Sequence, residues 1–181
     1  MTVQGHRVRT QTDTLSRQAI FVHVQRMLLS MAAIEREATC TWEGNLARGS
    51  GRLTSGSSVA FSGLAFSLPT RIGQPGEETS PEELLAAAHA GCFGMALTSI
   101  LTNAEVPPGR LDIRCRISVD DIPGEGFRVT GSHLTIGADV DGLAKDALKA
   151  AAEAADRACP YSALLRDGGA TVTVELARDS T

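Results

Sequence analysis

The sequence predicts an α+β protein with elements in the order β-β-β-α-β-β-α-α-β, and three observations carry that prediction. Short β-like runs punctuated by turn pairs occupy residues 38–63, a capped Ala-rich helical stretch begins at residue 80, and two alternating strands lead into a second helical stretch after residue 141. At 181 residues and 43% hydrophobic content the chain can bury one full core, which favours a single main domain.

The elements follow in order. Residues 1–36 read as a basic extension: Arg7, Arg9, Arg17, Arg26 and Arg36 face only Asp13 and Glu35, and the apolar run Ala19 to Ala33 is interrupted by His23 and Arg26. A flexible, disordered extension or a start codon set too early, with Met31 as the alternative start, ranks above an organelle transit peptide. Residues 37–181 form the domain.

Three strands are expected at Ala38 to Glu43, Gly51 to Ser55 and Ser58 to Gly63, with Gly44-Asn45 and Ser55-Gly56 as turn pairs. Leu68 to Glu78, with Pro69, Gly73, Pro75 and Gly76, reads as a loop. Ser80 as N-cap, Pro81 at the first helical position and Glu83 as the reciprocal capping residue then start a helix that runs to about Asn103, ahead of Pro107-Pro108. Leu111 to Val119 alternates as Leu111, Ile113, Cys115, Ile117 and Val119, which turns Cys115 inward. Phe127 to Ile136 follows after Pro123-Gly124-Glu125-Gly126. The next helix, Gly142 to Ala158 with Asp141 as its cap, places Leu143, Ala147, Leu148, Ala151 and Ala155 at helical spacing. Pro160 breaks it, and a short helix from Tyr161 to Arg166 and a strand from Ala170 to Ala177 finish the chain.

Charge and motifs narrow the chemistry. A net charge of -4 and a pI near 5.6 argue against nucleic acid or an anionic membrane as the main partner. No uninterrupted apolar run of about 20 residues is read as a membrane span, so the body is expected in the cytoplasm, where Cys40, Cys92, Cys115 and Cys159 would be kept reduced. The cysteines and His6, His23, His89 and His133 lack paired metal-ligand spacing, so no metal is expected. Gly49-Ser50-Gly51 lacks the helix and lysine of a phosphate loop, so no nucleotide cofactor is expected.

The chemistry is sought in Cys92 and Cys159, two thiols far apart in sequence and outside any CxxC spacing, which suggests an attacking and a resolving partner brought together by the fold. On the helix, Cys92 shares a face with Leu85, Ala88, His89, Met95, Ala96 and Ser99. Burial there would raise its pKa, so a cation from outside the helix is needed to hold a thiolate. His89, one turn before Cys92, invites a Cys-His hydrolase, but a histidine satisfied by a neighbouring strand is the stronger reading.

The run from Ser80-Pro81-Glu82-Glu83-Leu84 through His89-Ala90-Gly91-Cys92-Phe93 to Leu97 resembles the signature helix of the OsmC/Ohr family of thiol-dependent hydroperoxide reductases. Thr41 to Gly51 is similar to the family's N-terminal hairpin, and Cys159-Pro160-Tyr161-Ser162 to its second-cysteine motif. Tyr161 stands where a small aliphatic residue is usual in the OsmC-like branch. The resemblance implies an OsmC-like fold, with antiparallel sheets wrapped around the long cysteine-bearing helix in an intertwined homodimer. It implies Cys92 as peroxidatic cysteine, Cys159 as resolving cysteine, Arg48 as activating arginine and Glu82 as the carboxylate orienting that arginine. The implied activity is reduction of organic hydroperoxides, with hydrogen peroxide as a further candidate substrate, in oxidative or osmotic stress, with no bound cofactor and an external dithiol, a lipoylated protein or a small thiol, as reductant. The alternatives are a non-catalytic stress-related binding protein and the Cys-His hydrolase. One constraint is independent of the family: Glu82 and Cys92 are ten residues apart, about 15 Å along a straight helix. Either the helix starts later than Pro81, or Glu82 acts through the reach of Arg48 or across a subunit boundary.

Overall fold

A computed structural model describes residues 33–74 and 76–177; the basic extension before residue 33 lies outside the described residues. These residues fall into two compact units, 33–39 with 55–60, and 40–54 with 61–74 and 76–177. In the first, Ser57 Oγ accepts from the Glu37 N–H at 2.7 Å and the Gly56 N–H donates to the Glu37 carbonyl at 2.8 Å.

The strands form two three-stranded sheets, β1 (Ala38–Glu43), β2 (Ser50–Ser55) and β3 (Leu64–Phe66) in one and β4 (Arg110–Ile122), β5 (Gly126–Asp139) and β6 (Thr171–Leu176) in the other. Between them lie α1 (Leu68–Ile72), α2 (Pro81–Asn103), α3 (Lys145–Ala158) and α4 (Pro160–Asp167). The α+β class and the sequence of long elements agree with the expectation, with three differences. The third strand is Leu64–Phe66 rather than Ser58 to Gly63, and a helical turn stands inside the expected loop. In addition, β6 pairs parallel with β5, so the second sheet is mixed rather than wholly antiparallel. The two helices between β5 and β6 supply the crossover that a parallel pair requires.

The helix expected from Pro81 to Asn103 has those bounds. Ser80 accepts from the Glu83 N–H at 3.1 Å, while the Glu83 carboxylate takes the Thr79 hydroxyl at 3.0 Å, so the reciprocal half of the capping box is not made. By length and composition α2 is apolar enough to cross a membrane, contrary to the reading above, though the core helix of a soluble protein passes the same test. Its residues His89, Phe93, Leu97 and Leu101, four apart, are buried and pack toward β4, α3 and α4. Leu134 and Ile136 of β5, Ala152 and Ala155 of α3, and Cys159 complete that core. The opposite line of α2, Glu83, Ala87, Gly91, Met95 and Ser99, is exposed.

Candidate active site

Cys92 stands three turns into α2, between the buried stripe and the exposed line. Cys159 is the N-cap of α4, at the break that Pro160 imposes after α3. The fold brings the two sulfurs, 67 residues apart in sequence, to 3.4 Å. Both cysteines are free; Cys159 is buried and Cys92 half-buried. A disulfide would need the sulfurs to close to about 2.05 Å.

The Cys92 thiol is pushed above the ordinary thiol range by burial first and then by the hydrogen bond and charge of Cys159. The backbone N–H of Tyr161, in the first turn of α4, opposes this by donating to the sulfur. Cys92 therefore has a second thiol at hand, and forming a thiolate there would take further positive charge.

Glu82 holds an arginine, and it is Arg71. Arg71 Nε donates to Glu82 Oε1 at 2.8 Å and Nη2 lies 2.7 Å from the same oxygen, while the guanidinium stacks 5.2 Å from the centre of the Phe127 ring. Glu82 Oε2 is buried and takes no hydrogen bond. The expected pairing of Glu82 with Arg48 is not made within this chain: the backbone N–H of Arg48 donates to Asn45 Oδ1 at 3.0 Å within the β1–β2 turn, and Arg48 is exposed. Arg71 was missed because it sits in the segment read as a loop. The available signal was Ser67-Leu68-Pro69-Thr70, an N-cap and an early proline like those before α2; Ser67 and Thr70 do form a capping box.

His89 is fully buried, with Nδ1 2.8 Å from Ser132 Oγ and Nε2 2.9 Å from Ser162 Oγ. Both ring nitrogens are thus engaged away from Cys92, which removes the base from the Cys-His hydrolase reading. Cys115 lies 3.3 Å from Ser132 Oγ, and Cys40 is exposed on β1. Among the described residues no group of three or more His, Cys, Asp or Glu side chains could hold a metal ion.

The class that fold and site define is an α+β protein with a pair of facing thiols between a core helix and the start of a short helix. Residues 74–175 match the family model for OsmC-like proteins, and the chain belongs to that family. It is 33% identical over 134 residues to the protein named peroxiredoxin OsmC of Escherichia coli K12, covering 74% of this chain and 91% of that one. It is also 33% identical over 114 residues to an organic hydroperoxide resistance protein of Xanthomonas axonopodis pv. citri, covering 62% and 77%. Among solved structures, the organic hydroperoxide resistance protein OhrB of Bacillus subtilis superposes with a TM-score of 0.61 at 27% identity, over 78% of this chain and 98% of that one. A Legionella pneumophila OsmC structure gives 0.64 at 24% identity over 82% and 100%, which bears on the fold.

Proposed function

We propose that this protein is a thiol peroxidase that reduces organic hydroperoxides to alcohols. The carrying observation is the 3.4 Å approach of the Cys92 and Cys159 sulfurs. The names of the relatives, peroxiredoxin and organic hydroperoxide resistance protein, support the same chemistry.

In the first step the Cys92 thiolate attacks one peroxide oxygen. The O–O bond breaks, the departing alkoxide takes a proton and leaves as alcohol, and Cys92 becomes a sulfenic acid. In the second, the Cys159 sulfur attacks the Cys92 sulfur; the S–S bond forms and the sulfenic oxygen leaves as water with the thiol proton. An external dithiol, of the lipoyl type or a small thiol, then exchanges with the disulfide and is itself oxidised. No cofactor enters.

The thiolate requires a cation, and we assign that part to Arg71 held by Glu82 in place of Arg48. Glu82 is about 15 Å along α2 from Cys92, so the Arg71–Glu82 pair serves the thiol of a second copy in a homodimer. The exposed line of α2 beside Cys92, with Met95 72% exposed, supports such an assembly. The test is a single turnover: prereduced protein with stoichiometric tert-butyl hydroperoxide, free thiols counted and intact mass recorded. Loss of two thiols with a Cys92–Cys159 link, absent in Cys92→Ser, is expected. Thiols that survive a large peroxide excess would exclude the peroxidase.

A further inference from the structure

The core holds a polar group that the peroxidase steps do not use. His89 joins Ser132 of β5 to Ser162 of α4, and all three side chains are buried. Cys115 extends the chain through Ser132. Such groups are costly to bury unless each polar atom is paired, and apolar side chains of the same volume fill a core at least as well. What distinguishes this set is its place. His89 is three residues before Cys92 on α2, and Ser162 is three residues after Cys159 on α4. Where one helix touches the other, His89 meets Ser162 one turn from the point where Cys92 meets Cys159.

The ring suits a fixed connector. Burial holds the His89 pKa below its ordinary value, partly opposed by Asp156 and reinforced by Arg166, so the imidazole is neutral at neutral pH. A neutral ring donates through one nitrogen and accepts through the other, and a serine hydroxyl can meet either demand. The other end of α4 is tied separately, by Arg166 to Asp156 of α3.

We propose that His89 is the positioning residue of the resolving cysteine: through Ser162 it fixes the start of α4 so that Cys159 stays within bonding reach of Cys92. This rests on the Cys92–Cys159 couple but not on peroxide as its oxidant. Loss of the bond to Ser162 leaves the start of α4 free to move, which lowers the effective concentration of one thiol toward the other.

The experiment equilibrates the full-length protein with reduced and oxidised dithiothreitol and counts the Cys92–Cys159 disulfide, for the wild type, Ser162→Ala and Ser132→Ala. Ser162→Ala is expected to shift the pair toward the dithiol by about tenfold, or about 30 mV for the two-electron couple. Ser132→Ala, which cuts the network on the side away from α4, is expected to shift it far less. An unchanged potential in Ser162→Ala overturns the proposal. An equal shift in both variants also overturns it, since general core packing would then explain the network, and so does a wild type that forms no disulfide in oxidised dithiothreitol. A disulfide that forms in dithiothreitol but not with hydroperoxide leaves the positioning role standing and removes the peroxidase reading instead.

Discussion

Cys92 and His89, one turn apart on the same helix, show how burial moves two titratable groups in opposite directions. The thiol is raised, so its stabilising neutral form is complete below the ordinary thiol value and is lost as pH rises through the folded value; the imidazole is depressed, so its contribution is present above its ordinary value of 6.5 and is lost as pH falls. We expect the urea midpoint of the reduced protein to drop as pH is lowered through about 6.5 and below, and expect the drop to be shallower in His89→Gln; equal acid slopes would mean that His89 does not titrate as a buried group. At the same residue, Cys159→Ala removes a neighbour that raises the thiol. Alkylation of Cys92 by iodoacetamide at neutral pH should then be faster than in the wild type, and a slower rate would place the control of the thiol elsewhere. Arg71 gives the third prediction at this scale. A guanidinium anchored by Glu82 and stacked on Phe127 has geometry that lysine lacks. Arg71→Lys should therefore cut kcat/KM for hydroperoxide by roughly 100-fold, about 2.7 kcal/mol of transition-state stabilisation, and Arg48→Lys should leave it nearly unchanged. The reverse ranking would restore Arg48 to the site.

Elements with strong local signals were legible in sequence. α2 has its expected bounds because Ser80 and Pro81 set its start by mechanisms that need no tertiary context, and Pro160 placed the break that puts Cys159 at the head of α4. Elements defined by long-range pairing were less legible. β3 is a three-residue strand held by its register with β2, Gly51 opposite Phe66 and Leu53 opposite Leu64, and nothing within Leu64–Phe66 marks it as a strand. The same distance limit hid Arg71, since no periodicity links it to Glu82. The hairpin that was read for its arginine instead shows why its glycines are there. A Cβ on Gly51 would lie 2.2 Å from the Phe66 ring, and one on Gly49 would lie 2.3 Å from the Glu43 carbonyl oxygen. Flexible side chains can yield and backbone cannot, so Gly49→Ala is expected to destabilise the β1–β2 hairpin, read as faster amide exchange over residues 40–54 with α2 still protected.

For the whole molecule the question is what covers the exposed line of α2. Glu83, Ala87, Gly91, Met95 and Ser99 run along a helix whose other face forms the core. Small residues at 87, 91 and 99 permit close approach by a second copy. A wild type that sediments as one 19.0 kDa chain would remove the homodimer, and with it the shared site. Gly91 offers a cleaner handle than Met95, because a Cβ there meets nothing within 4 Å in the single chain. Gly91→Gln should leave the protomer folded, and even favour α2 by up to about 1 kcal/mol, because glycine is the poorer helix former. The same side chain would stand between two helices packed along this line. The variant should therefore sediment as a monomer with unimpaired thermal unfolding, still form the Cys92–Cys159 disulfide in oxidised dithiothreitol, and lose hydroperoxide turnover because the Arg71–Glu82 pair of a second copy no longer reaches the thiol. A dimeric Gly91→Gln protein would move the interface to another surface. A monomer with full turnover would show that one chain assembles the whole site, and that the 15 Å between Glu82 and Cys92 is bridged within it.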